Sequence, residues 1–511
     1  MDSIKEGPSA QSLNRLRGIR RGIEKESLRA QPGGALAATP HPSALGTPLT
    51  HPHITTDFSE SQVELITGVH ADVDACIDEL TQVQQVTMRA LGDEMLWVSS
   101  MPCGLPPDDQ IPLGHYGSSN VGLAKNVYRR GLGYRYGRLM QTISGIHYNW
   151  SLPNVSNEGY FGLIRNFRRH AFLLLYLFGA SPSVCSTFVA GRQHRLRELG
   201  PHTMYLPYAT SLRMGRLGYQ SDAQASLAVS YNSLEGYGES LEGALTESYP
   251  AYDAIGVKGP DGEYRQLGTS LLQIENEFYG TIRPKRVIYP GERPLHALRE
   301  RGVEYVEVRL MDLDPFEPVG ISGQTLRFLD VFLLHCLQTP SALDTAQEIA
   351  SLGRNQHAVA ERGREPGLEL ERGDSSVSLI DWGGEILAQM GPIAEQLDLA
   401  HATDQYSAAV RSAQLSLQNP QTLPSARVLK AIEQDYDRSF VGFVKARSQQ
   451  VKAAMLALPM DAATEEKYHA MARDSWAEQA RIEAADTMPF DVYLKAYLDP
   501  RRLTAGHLKA A

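Results

Sequence analysis

Glu24 and Glu26 lie two positions apart in the run Gly22-Ile23-Glu24-Lys25-Glu26-Ser27-Leu28-Arg29. Side chains alternate along a strand, so in a strand both carboxylates point the same way. Two like charges on one face cost free energy unless something offsets them, and a divalent cation is one such compensator. A solvated sheet edge is the other reading. A second acidic run is Thr55 to Thr67, where Val63 and Leu65 alternate with Gln62, Glu64 and Ile66. Glu64 then faces away from the apolar side, and Asp57 and Glu60 lie within eight residues of it. Asp57 and Glu60 also suit a turn or a helix cap.

A third run is Ile146-His147-Tyr148-Asn149-Trp150-Ser151-Leu152. Ile146, Tyr148, Trp150 and Leu152 make an apolar face; His147, Asn149 and Ser151 make a polar one. A lone histidine is often structural, but this one stands on the polar side of a strongly apolar strand. The fourth run, Val303 to Leu310, puts Glu307 and Arg309 on one face. They could form a same-strand ion pair. Alternatively, the acid holds a metal and the planar guanidinium grips a carboxylate or phosphate. Gln273 to Tyr279 reads the same way, with Gln273, Glu275, Glu277 and Tyr279 on one face.

Set side by side, such strands would form a basin of carboxylates with one histidine. Hard cations such as Mg²⁺ or Mn²⁺ favour oxygen donors and complete their shells with phosphate, which points to nucleotide chemistry. The sequence has no GxxxxGK[ST] loop and no GxGxxG after a strand. Phosphates would therefore rest on metals and scattered cations. Arg283-Pro284-Lys285-Arg286 offers three such cations, unless it is a solvated basic turn.

The elements that must position these residues fall into two textures. Up to about Ser322, turns such as Pro106-Pro107-Asp108-Asp109 and Pro290-Gly291 separate short alternating runs, with helices over Val73–Leu91 and Tyr160–Gly179. Beyond it, apolar residues recur at three- and four-residue spacing in 325–338, 379–397, 402–417 and 464–485, so most of this part reads as helix. The class is α+β, an antiparallel or mixed sheet covered by helices. The expected organisation is a tail over 1–15, a sheet-containing core over 16–321, helices packed on that core over 322–500, and a tail over 501–511. Core and helices would form one integrated unit.

Seven blocks resemble the bacterial glutamate–cysteine ligase family of the proteobacterial type: GIEKESLR (22–29), ITTDFSESQVELIT (54–67), MQTISGIHYNWSLP (140–153), YLFGASPSVCSTF (176–188), YLPYATSLRMGRLGY (205–219), LLQIENEFYGTIRPKR (271–286) and VEYVEVRLMDLDPF (303–316). They run in order, and the resemblance extends from about residue 16 to DTMPFDVYL at 486–494. It implies a fold similar to the catalytic part of glutamine synthetase, a curved antiparallel sheet forming a funnel wrapped by helices. It implies ATP-dependent phosphorylation of the glutamate γ-carboxylate, then displacement of phosphate by the cysteine amine to give γ-glutamylcysteine, the first step of glutathione biosynthesis. By motif, the metal ligands fall on Glu24, Glu26, Asp57, Glu64, His147 and Glu307, for two or three Mg²⁺ ions or Mn²⁺ in their place. Arg309 and Arg213 would meet phosphate or substrate carboxylate and, with Glu307, form the catalytic set. Arg309, Arg283, Lys285 and Arg286 would serve ATP. Tyr128, Arg129, Arg213, Tyr219 and Tyr279 would line the substrate pocket. The segment between the SLP at 151–153 and the GYF at 159–161 is shorter than the family pattern. A γ-glutamyl ligase for another amine is the nearest alternative, followed by a non-catalytic nucleotide- or thiol-binding homologue.

The bulk properties agree with such a protein. Of 511 residues, 42% are apolar and 21% charged, and the net charge is −10. That balance argues against nucleic acid as a partner. Met1 to Gln11 is polar, without a secretory signal, and the longest apolar stretch, Ala171 to Ala180, is too short to span a bilayer. A cytoplasmic monomer without membrane contact is expected. Cys76, Cys103, Cys185 and Cys336 have no zinc spacing and should be free thiols.

Overall fold

The computed structural model describes residues 10–218, 223 and 227–504. Its strands, in chain order, are β1 (Arg20–Ala30), β2 (Ile54–Thr56), β3 (Gln62–Ile66), β4 (Met95–Leu96), β5 (Ile146–Ser151), β6 (Ser183–Cys185), β7 (Arg197–Gly200), β8 (Thr203–Tyr205), β9 (Ile282–Lys285), β10 (Tyr305–Met311), β11 (Glu369–Arg372) and β12 (Ser375–Ser378). Seven of them form the main sheet in the order β2-β3-β1-β5-β10-β9, with β4 on β1. Every strand pairing in it is antiparallel. The fold is mixed helix and sheet, and the sheets are antiparallel.

Alternation fixes which side each residue faces. Ile23, Val63, Leu65, Tyr148, Trp150, Val306 and Val308 are buried on one side of the main sheet. The opposite side carries the acids. The register brings them together: Glu26 stands opposite Glu64, Glu24 opposite His147, and Glu307 opposite both Asn149 and Arg283. Like charges directly across a strand pair are destabilising, so this face has a purpose other than stability.

The expected helices form where their caps allow. Val73–Ala90, Asn157–Phe178, Gly323–Gln338, Leu379–His401 and Ala462–Ala485 each start behind a residue whose side chain accepts an N–H of the first turn, namely Asp72, Ser156, Ser322, Ser378 and Asp461. Gln405–Gln418 follows without such a bond. A further helix, Ala10–Arg17, occupies part of the segment read as a tail. One apolar core runs from Leu16 to Leu503 and includes side chains from both the sheet and the later helices. An ion pair from Arg21 of β1 to Asp330 of Gly323–Gln338 spans 2.8 Å with both side chains fully buried, and Tyr148 donates to the same carboxylate at 2.7 Å. All four cysteines are free and buried. Among the described residues, no helix is long and apolar enough to cross a membrane.

One reading needs correction. Gln273 to Tyr279 is not a strand; Glu275–Glu277 is a 3₁₀ turn. Glu275 is held by Arg293 at 2.8 Å, whereas Glu277 takes Arg135 at 2.9 Å, Tyr136 at 2.6 Å and the Gln273 N–H at 2.7 Å. These partners pull the acids to separate places, so the alternation is lost. The β11–β12 hairpin interrupts the helical part, turning at Gly373 with φ +60.

Buried neutral histidines should make the fold acid-sensitive. Burial lowers His51 and His335 to about 4 and His41 to about 4, the last helped by Arg29. His51 Nδ1 accepts the N–H groups of His53 and Ile54 at 3.1 and 2.9 Å, so a proton there would displace both. The unfolded imidazole titrates near 6.5 and so binds more protons between about pH 4 and 6.5. Stability should therefore fall as pH drops through that window, by about 1.4 kcal/mol per pH unit per proton taken up. Urea midpoints at pH 6.5 and 5 check this; equal midpoints would contradict it.

Candidate active site

The acidic face of the main sheet opens into a cavity of about 320 Å³. Glu24, Glu26, Asp57, Glu64, His147 and Glu307 all line it. So do Lys125, Arg129, Arg283, Lys285 and Arg309.

His147 is the hub. Its Nδ1 lies 3.3 Å from Glu24 and 4.0 Å from Glu307, and its Nε2 lies 3.6 Å from Glu26. Two triads result, Glu24/His147/Glu307 and Glu26/Glu64/His147, each with ligand atoms within 4.8 Å of one another. Asp57 sits in the turn between β2 and β3, where its N–H donates to the Gln62 carbonyl at 3.0 Å. It belongs to neither triad but adds negative charge beside Glu26 and Glu64.

The two ends of the cavity differ electrostatically. Burial would raise Glu307, but Lys285, Arg309, His147 and Arg283 outweigh it and hold the carboxyl well below its usual range. Lys285 lies 3.3 Å from that carboxylate, Arg309 3.1 Å and Arg283 3.9 Å. At the other end, burial and then Asp57 push Glu26 up to about 8, although the Gly145 N–H donates to it at 2.7 Å. Burial, Glu24, Asp57 and Glu26 raise Glu64 well above a normal carboxyl. Glu24 is lowered: burial opposes this, and the hydrogen bond from His147 prevails. Burial and Arg309 keep His147 itself neutral-leaning. At the Glu26/Glu64/Asp57 end, Arg213, Arg309 and Arg129 act on the acids but do not outweigh burial and their mutual repulsion. An oxygen-rich donor set with one neutral imidazole fits a hard divalent cation there.

The substrate-side residues divide. Tyr128 and Tyr279 line the cavity, and Gln141 donates to the Tyr279 hydroxyl at 2.7 Å. Arg129 lines it too, but its N–H groups go to the carbonyls of Asp57, Lys125 and Thr56, and it stacks on Tyr116 at 4.2 Å. It holds the turn that carries Asp57. Arg213 and Arg286 do not line the cavity. Arg213 is 2% exposed, donates to the Arg309 carbonyl at 2.7 Å and lies 3.8 Å from Asp312. It braces the irregularity in β10 that carries Arg309. A Cβ at Gly145 would collide with its guanidinium, so any larger residue there would have to displace Arg213. Arg286 is tied to the Arg301 and Gly302 carbonyls and to Glu304. Tyr219 lies outside the described residues.

Sequence reading missed Lys125, Gln141 and Asn276. Lys125 stands three and four positions before Tyr128 and Arg129 on the helix Asn120–Tyr136, a spacing that shares one face. Burial and Arg129 lower its ammonium to about 8.

The family described as glutamate-cysteine ligase matches residues 5–359. A glutamate–cysteine ligase of Alcanivorax borkumensis is 47% identical, over 96% of this chain and 97% of that protein. The chain belongs to the glutamate–cysteine ligase family. A second such ligase, from Pseudomonas entomophila, is 46% identical over 95% of each chain. The crystal structure of the glutamate–cysteine ligase of Francisella tularensis, a complex with AMP, superposes with a TM-score of 0.89 at 37% identity, covering 94% of this chain and 97% of that one. A bifunctional glutathione synthetase from Pasteurella multocida superposes with a TM-score of 0.69 at 27% identity, over 87% of this chain and 54% of that one. In this member of the glutamate–cysteine ligase family, Glu24, Glu26, Asp57, Glu64, His147 and Glu307 surround one cavity.

Proposed function

We propose that this cavity uses ATP to join the γ-carboxylate of L-glutamate to the amine of L-cysteine through γ-glutamyl phosphate, giving γ-glutamylcysteine for glutathione biosynthesis. The observation that carries this reading is the convergence of five carboxylates and one imidazole beside three cations grouped on Glu307. Glu24, Glu26, Asp57, Glu64, His147 and Glu307 would hold two or three Mg²⁺ ions, or Mn²⁺ in their place. Bound there, the ions supply charge neutralisation for the nucleotide phosphates and the γ-carboxylate.

A free carboxylate does not undergo acyl transfer readily, because oxide is a poor leaving group; phosphorylation turns that oxygen into phosphate. The protein then needs no nucleophile of its own. It must hold anionic partners together and stabilise charge as it moves. Arg309, Lys285 and Arg283 keep positive charge fixed at the Glu307 end, the side suited to the γ-phosphate. Arg213, bonded to the Arg309 carbonyl, keeps that strand in place. Tyr128, Leu132, Phe58 and Tyr279 wall the side from which the amine approaches. The main sheet acts as the wall of a funnel similar to the catalytic part of glutamine synthetase. Sheet and later helices work as one catalytic unit, monomeric and cytoplasmic.

Mass spectrometry of a mixture of protein, ATP, Mg²⁺, glutamate and cysteine should detect the γ-linked dipeptide in step with phosphate release. Phosphate release that occurs only with another amine would replace cysteine as the acceptor, and ATP loss without a glutamyl product would defeat the reading.

A further inference from the structure

The cations of the cavity are not equally engaged. Lys285 and Arg309 are paired with Glu307 at 3.3 and 3.1 Å. Arg283 donates to the carbonyls of Asn276 and Phe278, and Arg129 to those of Asp57, Lys125 and Thr56. Lys125 differs: among the described residues its ammonium has no hydrogen bond and no ion pair, and lies 5.0 Å from the Tyr116 ring centroid. Glu64, the acid whose field supports it, belongs to the triad with Glu26 and His147. An ammonium that lines a cavity with no hydrogen bond or ion pair of its own keeps its three N–H donors available to an anion.

Its position narrows what the anion would be. The phosphate-side cations surround Glu307, so an attacking amine must come from elsewhere in the cavity, and the helix Asn120–Tyr136 supplies that wall through Lys125, Tyr128 and Leu132. Lys125 also lines an adjoining cavity of about 290 Å³, which shares Tyr128, Arg129 and Asn276 with the first. It therefore stands at the partition, where the far end of an acceptor comes to lie once its amine faces the acyl phosphate. We propose that Lys125 binds the α-carboxylate of the acceptor amino acid and so sets the preference for an amino acid over a simple amine. This rests on the ligase reading above. It makes Lys125 a specificity residue, in a site whose chemistry is done by other groups.

The test compares cysteine with cysteamine, which lacks the carboxylate. For the parent enzyme, kcat/KM should favour cysteine. In Lys125→Met that ratio should fall by roughly 10- to 100-fold, the loss of one charge-assisted contact, while KM for glutamate and for ATP stays close to the parent value. Lys125→Arg, which keeps the charge, should retain most of the ratio and guards against a folding defect in the methionine variant. An equal loss with both acceptors, an unchanged ratio, or a rise in the glutamate KM with the ratio preserved would each overturn the proposal; the last would assign the lysine to the glutamate carboxylate. A parent enzyme that makes no γ-glutamylcysteine would instead defeat the ligase reading itself.

Discussion

Glu307→Gln should lower turnover about a thousandfold while the protein still folds. Glu307 is 1% exposed and is the meeting point of Lys285, Arg309 and Arg283. Glutamine keeps its shape and one acceptor oxygen but removes the charge. The change strips a donor from the Glu24/His147/Glu307 triad and frees Arg309 and Lys285 from the group that aims them. Both losses act where phosphoryl charge must be stabilised. The change also leaves the buried Arg283 and the part-exposed Lys285 and Arg309 without their shared acid, so the variant should melt at a lower temperature, still cooperatively. Phosphate release with ATP, glutamate and cysteine, beside a thermal melt, checks this. Near-normal turnover would remove Glu307 from the catalytic set.

His147→Ala should be as damaging, for a different reason. One imidazole faces Glu24 and Glu307 through Nδ1 and Glu26 through Nε2, so it belongs to both triads. Its loss weakens both at once, and the Mg²⁺ concentration for half-maximal activity should rise by at least about tenfold. Residues that act as a unit are not additive. Adding Glu26→Gln to His147→Ala should therefore cost little more than His147→Ala alone. If the two effects multiply independently in kcat/KM, the shared-ligand arrangement is wrong.

The sequence displays the chemistry of each strand but not the company it keeps. Alternation is enough to put Glu24 beside Glu26 and His147 beside Asn149, because side-chain direction follows from position alone. That Glu26 faces Glu64 and Glu24 faces His147 depends on strand order and register, set by the apolar side packing against helices far along the chain. Gln273 to Tyr279 has the right alternation, yet Arg293 and Arg135, from distant segments, claim its acids and break the strand. Arginines were the least legible. Arg213 and Arg309 look alike in their triplets; only the collision space at Gly145 and the irregular register of β10 decide that Arg213 lies behind Arg309. Lys125 left a trace in its helical spacing to Tyr128, but spacing alone does not say which helix face meets a cavity.

The claim on which the rest depends is that these side chains tolerate one another because divalent ions sit between them. Anomalous diffraction from crystals grown with Mn²⁺ and ATP tests it directly. Manganese should lie within bonding distance of Glu26, Glu64 and His147, with a second ion at Glu24 and Glu307. Crystals that diffract well at activating Mn²⁺ concentrations yet show manganese only on the outer surface, with the cavity free of it, would contradict the account.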